Sequence, residues 1–369
     1  MRAGAKQNRE PLLFLCPAAS LFGLALIYSA TRYDPDLHSL PAKQGAALLA
    51  GLLLCFLLSR LDVREIAERF RWGLAAGNVG LLLLLVPFGN DDGTGNKSWL
   101  ALPGGLFNLQ PAELGKLFFI LLLALQLTRE RERGGLNRPR AVLLTGVHAL
   151  GLCGLLYAVS GDMGMAAVYL AVYAVMVWSA GLSPLWLLGE GLAGAGGAVL
   201  LWPRLPEYVR LRFRVVLDHS LDPLGKGYQQ GRSLLAVGSG QGTGQGYLHG
   251  TQTQSLSPSA LPARHTDFLF SAAGEELGLL GCLLILLLLG AIVLRCVHIA
   301  RHTEDGLLSL AAMGFGGMLA AQTVLNVGMC LYAAPVVGVT LPFFSYGGSS
   351  LLAGFGGVGL LLSLEQKRV

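Results

Sequence analysis

Ten apolar runs divide the chain, and each approaches or exceeds the roughly 20 residues that an α-helix needs to cross a bilayer. They centre on residues 11–29, 43–59, 73–89, 112–127, 141–159, 163–182, 184–202, 268–294, 306–333 and 349–364. Inside hydrocarbon every backbone N–H and C=O must find a partner within the protein, so such runs fold as helices. Composition agrees: 53% of the 369 residues are hydrophobic and 13% charged, against about 25% charged in soluble domains. Glycine, at 51 residues, is about double its usual share and suits closely approaching helices. The expected fold is an all-α polytopic membrane protein, a single integral membrane domain over residues 1–369 with ten transmembrane helices.

Basic residues orient it. Arg60, Arg64, Arg69 and Arg71 follow the second run; Arg129, Arg131, Arg133, Arg138 and Arg140 follow the fourth. Arg295 and Arg301 follow the eighth, and Lys367 and Arg368 the tenth. All fall on one side if both termini are cytoplasmic, as the positive-inside bias requires. That topology puts residues 87–111, 203–267 and 333–348 outside. The large extracellular loop, 203–267, lies between the seventh and eighth helices. It carries Arg204, Arg210, Arg212, Arg214, Lys226, Arg232 and Arg264 against Glu207, Asp218 and Asp222. Such a surface is either a solvated face or a seat for an anionic headgroup or pyrophosphate. Leu205, Tyr208, Leu211, Phe213 and Val216 interleave with the arginines, which predicts a segment lying flat on the membrane. The net charge of +5 comes with no nucleic-acid motif and is better explained by topology. Cys16, Cys55, Cys153, Cys282, Cys296 and Cys330 lie in or beside apolar runs without a C-x-x-C, which excludes a disulfide framework and a cysteine zinc site. Met1–Glu10 is polar and the first run lacks a clear small-residue cleavage site, so no cleavable signal is expected. No inverted repeat is visible, which weighs against common transporter architectures.

Several polar residues interrupt this apolar background. Asp267, beside Arg264 and His265, stands where the long polar segment meets the eighth run. A carboxylate at such a boundary is a functional candidate; its alternative role is a helix N-cap, and the two can coexist. Glu113 and Lys116, in Gln110-Pro-Ala-Glu-Leu-Gly-Lys116, share a helix face, and each would be costly alone in the membrane, so they are expected to pair. Asp162, in Ser160-Gly-Asp-Met-Gly164, reads first as the N-cap of the sixth helix. On a continuous helix Glu275 and Glu276 would lie about 12 Å from Asp267, too far for a paired-carboxylate site; they read as buried polar supports. Gly238–Gly246 lacks the Gly-Lys-Ser/Thr ending of a nucleotide loop, and its glycines predict tight turns near a substrate. His298 and His302 have i, i+4 spacing but no acidic third ligand, and read as the cation-favouring end of a helix. There is no G-x-S-x-G. No metal ligand set is expected.

These stretches together resemble the SEDS family (shape, elongation, division and sporulation) over nearly the whole chain. The resemblance rests on Ile27–Thr31, Lys97-Ser-Trp99, Gln110–Lys116, Asp162-Met-Gly164, Gly227-Tyr-Gln229, Ala236–Gly246, Leu261–Gly278, Gln322-x-x-x-Asn326 and Leu341–Ser350. Gly250-Thr-Gln-Thr-Gln254 looks most like the RodA elongation branch. The resemblance implies a peptidoglycan glycosyltransferase acting on lipid II at the outer face of the bacterial cytoplasmic membrane, with a class B penicillin-binding protein as partner. It maps the family's essential acid onto Asp267 and its helix-start pair onto Glu113 and Lys116. A loop arginine falls on Arg212, and the matching stretches add Lys97, Trp99, Asp162, Arg264, His265 and Ser345 as substrate-binding or supporting residues. Departures are Ala112 and Gly115 for the usual Ser and Ala, Ser160-Gly161 for Gln-Pro, and His219 where Pro follows Asp218.

The expected reaction joins a sugar hydroxyl to the anomeric carbon of a lipid-pyrophosphate-linked sugar, with inversion and Asp267 as general base. Arg212, Arg264, Lys116 or a divalent cation (Mg or Mn) are the candidates to stabilise the leaving pyrophosphate; no required cofactor is evident. The alternatives are a lipid II flippase, which needs a polar route through the membrane, and a non-enzymatic scaffold of the cell-wall machinery.

Overall fold

The computed structural model describes residues 10–90, 96–101, 108–222, 224–225, 227–257 and 260–366. Lys226, Lys367 and Arg368, counted above for charge, lie outside the described residues. Among the described residues, ten helices are long and apolar enough to cross a membrane. In chain order, α1 is Glu10–Thr31, α2 Leu40–Arg60, α3 Val63–Arg69, α4 Arg71–Leu83 and α5 Leu85–Phe88. After three short strands come α6 (Pro111–Glu132), α7 (Pro139–Ser160), α8 (Met163–Ala180) and α9 (Pro184–Leu201). The chain ends with α10 (Glu207–Leu217), α11 (Tyr228–Gly240), α12 (Leu269–His302), α13 (Gly306–Cys330) and α14 (Gly348–Gln366). Spans one to ten are α1, α2, α4 with α5, α6 to α9, and α12 to α14.

Proline sits in the first turn of α2, α6, α7 and α9, where its missing N–H would be unpaired anyway. Asp62, Asp162 and Asp305 each cap a helix start through their carboxylates. The central helix is α14, buried along nearly its whole length. Its glycines let neighbours close in: a Cβ at Gly359 would lie 2.7 Å from the Cys55 carbonyl oxygen of α2, and one at Gly356 2.8 Å from the Leu117 side chain of α6. Phe119, Tyr169, Phe315 and Phe355 fill the space between α6, α8, α13 and α14. All six cysteines are free and buried. Arg64 pairs with Asp305, joining the α2–α3 turn to the α12–α13 turn at the end of the bundle away from the cavity described below.

Three expectations from sequence need correcting. The eighth apolar run is not one continuous helix. At Gly278 the backbone turns to φ 65°, ψ −160°, so α12 is two helices joined at a break. The residues that turn around the break are those of Gly238–Gly246, predicted to lie near a substrate. Leu279 N–H donates to the Gln241 carbonyl and Leu280 N–H to that of Gly242, while Gln245 and Gly246 N–H donate to the carbonyls of Glu275 and Glu276. Gly240 and Gly244 therefore serve backbone-to-backbone packing, and residues 241–246 do not line the cavity.

The segment 203–267 contains two helices, α10 and α11. On α10 the side facing the protein is Val209, Arg212 and Val215, with Tyr208 and Leu217 exposed; helical spacing of three replaces the looser alternation read from sequence. Finally, residues 87–111 contribute a small antiparallel sheet, β1 (Gly89–Asn90), β2 (Trp99–Ala101) and β3 (Asn108–Leu109), in which Leu100 pairs with both Gly89 and Leu109.

Candidate functional site

A cavity of about 960 Å³ opens at the end of the bundle where β2, the starts of α6 and α8, α10, and the segments 222–230, 262–267 and 336–348 converge. Asp267, Asp162, Glu113, Arg212, His265 and Trp99 all line it. Six of the ten residues singled out by sequence are thus brought together.

Asp267 is held by its backbone while its carboxylate is left free. Its carbonyl accepts from Asn326 Nδ2 at 2.8 Å and from Cys330 Sγ at 3.6 Å, and Asn326 also donates to the Val339 carbonyl at 2.8 Å. One residue earlier, the Thr266 carbonyl accepts from Ser345 Oγ at 2.6 Å. The His265 carbonyl accepts from Tyr346 N–H at 2.8 Å. Ala263, at φ 46°, closes the turn, its carbonyl accepting from the N–H groups of Thr266 and Phe268. The N-cap of α12 is Phe268, and no side chain caps it. Asp267 is therefore not a helix cap, and among the described residues nothing hydrogen-bonds its carboxylate. Removal from water pushes that carboxyl up to about 6, with the nearby Asp162 charge adding to the rise.

Asp162 does cap α8, accepting from Met165 N–H at 2.9 Å, and its other oxygen accepts from Gln110 Nε2 at 3.0 Å. Burial nevertheless raises it to about 6; the Met165 bond pulls it down, Glu113 pushes it up, and Lys116 and Gln110 pull it down. Gln110 N–H donates to Ser349 Oγ at 2.8 Å, which ties the start of α6 to the start of α14. One helical turn along, Glu113 Oε2 and Lys116 Nζ lie 2.7 Å apart with side chains 2% and 1% exposed. Glu113 reaches the cavity floor and Lys116 does not.

Four candidates stand elsewhere. Lys116 is engaged by Glu113 beneath the cavity. Arg264 donates from Nε to the Ala30 carbonyl at 2.8 Å and from Nη1 to that of Ser255 at 3.0 Å, so it ties the end of α1 to the segment around Ser255 and does not line the cavity. Ser345 supports the Thr266 carbonyl. Lys97 does not line the cavity. Of the cations proposed for a pyrophosphate, Arg212 alone lines the cavity among the described residues. Its Nη1 reaches the Val336 carbonyl at 3.4 Å, its guanidinium lies 5.9 Å from the Tyr208 ring centre, and among the described residues no acidic side chain pairs with it. His265 is pushed down to about 4 by burial and by the Arg264 charge, which keeps it neutral at physiological pH.

Glu275 and Glu276 are the buried supports that sequence predicted. Glu275 accepts from the N–H groups of Gln252 and Thr253, both at 2.7 Å, and from the hydroxyls of Thr251 and Thr253. Glu276 accepts from Ser29 Oγ and Gln254 Nε2, each at 2.6 Å. Together they bind Gly250–Gln254 and the end of α1 to α12. The sequence departures are absorbed locally. Gly161 takes the left-handed φ of 71° that ends α7, Ser160 Oγ accepts from Asp162 N–H, and His219 stacks on Tyr332 with ring centres 3.8 Å apart.

Sequence reasoning passed over Gln110, Asp222, Tyr228, Gln229, Thr340 and Tyr346, which also line the cavity. Gln110, Tyr228, Gln229 and Tyr346 lay inside the quoted motifs, whereas Asp222 and Thr340 carried no such signal. Within the described residues no group of three His, Cys, Asp or Glu side chains could hold a metal ion.

Comparison with known proteins places this arrangement. The family model for FtsW, RodA and SpoVE, described as "Cell cycle protein", matches residues 10–369. The chain is 32% identical to the probable peptidoglycan glycosyltransferase FtsW of Geobacter metallireducens, covering 96% of this chain and 94% of that protein. It is 33% identical to that of Haemophilus influenzae, covering 96% and 90%. Among solved structures, a chain described under "Structural coordination of polymerization and crosslinking by a peptidoglycan synthase complex" superposes with a TM-score of 0.82 at 34% identity, over 97% of both chains. The Thermus thermophilus rod shape determining protein RodA gives 0.70 at 31% identity, over 97% and 96%. The ten spans, the order of motifs and these matches agree: the chain belongs to the FtsW/RodA/SpoVE, or SEDS, family of multi-pass membrane proteins.

Proposed function

We propose that this protein is a peptidoglycan glycosyltransferase that polymerises lipid II into β-1,4 glycan strands. The observation that carries the proposal is the Asp267 carboxylate, rigidly mounted, unpartnered among the described residues and raised to about 6, in a polar cavity that also holds Arg212. A general base works best with a pKa near the operating pH and with no competing proton donor. In the reaction, Asp267 takes the proton from the 4-hydroxyl of the acceptor's N-acetylglucosamine. The oxygen attacks the donor's anomeric carbon from the face opposite the phosphate, the C–O bond to phosphate breaks, and the lipid pyrophosphate leaves with inversion. Arg212 is the cation positioned to meet the departing charge. Trp99, Asp162 and Glu113 shape the floor and walls.

The substrates keep their polyprenyl tails in the bilayer, which fits a cavity at one end of the spans, and two such lipids bound side by side supply most of the orientation. The arginine clusters support an orientation with both termini cytoplasmic, and in that orientation the cavity lies at the outer face of the bacterial cytoplasmic membrane, within the 203–267 extracellular segment and its neighbours. A class B penicillin-binding protein is the proposed partner; the similarity to a chain of a peptidoglycan synthase complex supports it. The proposed activity is the one common to the elongation and division branches. Gly250–Gln254, which suggested elongation, is the shell that holds Glu275 and Glu276, a structural task that either branch would use. A flippase needs a polar path to the other end, but beneath Glu113 and Lys116 the core is closed by Phe119, Leu123, Met176 and Phe315, all nearly unexposed.

The test is polymerisation of labelled lipid II by the purified protein with its cognate penicillin-binding protein, read as glycan length on a gel. Polymer from the wild type and none from a folded, partner-bound Asp267→Asn supports the proposal. Normal polymer from Asp267→Asn moves the base elsewhere. No polymer from a complex whose crosslinking partner is active refutes the enzymatic reading.

A further inference from the structure

A second groove, of about 710 Å³, runs along the outward side of α11. Tyr228, Gly231, Leu235 and Gly238 line it at spacings of three and four, one stripe of a helix, and cover roughly 15 Å at 1.5 Å per residue. The opposite face of α11, Gln230, Ser233, Ala236 and Gly240, is the one buried against the protein. A Cβ added at Gly231 or Gly238 would meet nothing within 4 Å, so these glycines are open notches and serve no internal contact. Leu224, Leu234 and Leu235 wall the groove and are exposed.

Single exposed leucines need no explanation. This row is different because of where it starts. Tyr228 lines both the groove and the reaction cavity. The Arg232 guanidinium lies 5.4 Å from the centre of the Tyr228 ring, and Arg212 stands inside the cavity. Tyr228 therefore adjoins both a polar chamber that holds Arg212 and an open apolar groove that holds Arg232. Together their chemistry is complementary to a molecule with an anionic head and a long linear hydrocarbon tail. A partner helix would cover the leucines but would have no use for the two arginines.

We propose that the α11 groove holds the first isoprene units of the donor lipid's polyprenyl chain, with the pyrophosphate between Arg212 and Arg232. This rests on the glycosyltransferase reading above for the identity of the donor. It adds a subsite that distinguishes long-chain from short-chain lipid substrates. Filling the notches should weaken capture of the chain without disturbing the fold, since leucine is the better helix former and has open space at both positions.

Two measurements on the full chain, in nanodiscs with its partner, test it. The first is photolabelling with undecaprenyl pyrophosphate carrying a diazirine in its first isoprene units. The label is expected on peptides within 224–239, with competition by unmodified undecaprenyl pyrophosphate and loss in Gly231→Leu/Gly238→Leu. Label concentrated elsewhere, or unchanged by the double substitution, overturns the proposal. The second compares lipid II bearing the full chain with an analogue bearing a chain too short to reach Gly231. The double variant is expected to lower the long-to-short ratio of kcat/KM about tenfold, equivalent to about 1.4 kcal/mol; an unchanged ratio overturns the proposal. Labelling requires no turnover. Labelled α11 without polymer would therefore sink the polymerase reading and leave the groove standing, and polymer with label elsewhere would do the reverse.

Discussion

Replacing Asp267 by asparagine should abolish polymerisation and stabilise the protein, and the stabilisation should depend on pH. The carboxyl is raised from 3.8 to about 6, first by desolvation and then by the Asp162 charge. Each tenfold tightening of proton binding corresponds to about 1.36 kcal/mol, so a rise of this size gives an upper bound near 3 kcal/mol. Asp267 lines the cavity and is only part-buried, which reduces the expected effect to roughly 1–2 kcal/mol. The sign follows from linkage. A carboxyl with a raised folded-state pKa binds its proton more tightly when folded, so its contribution is fully present below about 3.8 and is lost as pH rises through about 6. At pH 8 the wild type carries an ionised, desolvated carboxylate, whereas asparagine keeps the shape without the charge. Thermal unfolding in one detergent at pH 4.5 and pH 8 should show a wild-type deficit at the higher pH that narrows at the lower one. Polymerisation by the wild type should rise with pH through about 6, as the base loses its proton, while losing the base costs roughly 10²–10⁴ in rate. A variant that is less stable at pH 8, or equally offset at both pH values, would refute the claim that this carboxylate is desolvated and unpartnered.

The same geometry yields other outcomes. Glu113→Gln leaves the Lys116 ammonium buried without its partner and should destabilise by about 3–5 kcal/mol; adding Lys116→Met should recover much of that loss, as read from melting temperature and membrane yield. Arg212→Ala removes charge-assisted hydrogen bonds worth about 1.5–3 kcal/mol and should lower kcat/KM for lipid II by roughly 10- to 100-fold with the melting temperature unchanged. Unaltered kinetics would remove Arg212 from the pyrophosphate site. Gly278→Ala forces a side chain into a backbone conformation that favours glycine and sets its Cβ 2.6 Å from the Gly242 carbonyl oxygen. It should cost more than the ~1–3 kcal/mol of backbone strain alone, whereas Gly231→Ala on the open face of α11 should not destabilise at all; the two melting temperatures check this.

The spans were legible in the sequence because hydrocarbon imposes one solution on a long apolar run, and the ten run centres fall within the ten observed spanning helices apart from small overhangs at their ends. Glu113 and Lys116 were legible for the same reason, since two opposite charges three residues apart on a membrane helix have little choice but each other. The break at Gly278 was not legible. Its cause is the carbonyl and amide pairing with residues 241–246, which lie more than thirty positions earlier and reach α12 only in the fold. The separation of Arg212 from Arg264 was hidden likewise. Both are arginines in one polar segment, and only tertiary packing shows that Arg264 is committed to the Ala30 and Ser255 carbonyls.

That separation suggests how to tell a reacting polar group from a supporting one. Glu275, Glu276, Arg264 and Ser345 are engaged by several partners or by backbone carbonyls, so their interactions already have fixed recipients. Asp267 reverses the pattern. Asn326, Cys330, Ser345 and Tyr346 fix the main chain on and just before it, and none touches its carboxylate. An unpartnered, desolvated carboxylate is unfavourable for stability, and a fold that needed only a helix cap would have turned Asp267 toward the first N–H groups of α12. Asp162, across the same cavity, does so at the start of α8. The chain therefore contains both solutions in one cavity. Their difference is the strongest argument that Asp267 is held ready for a proton that comes from outside the protein.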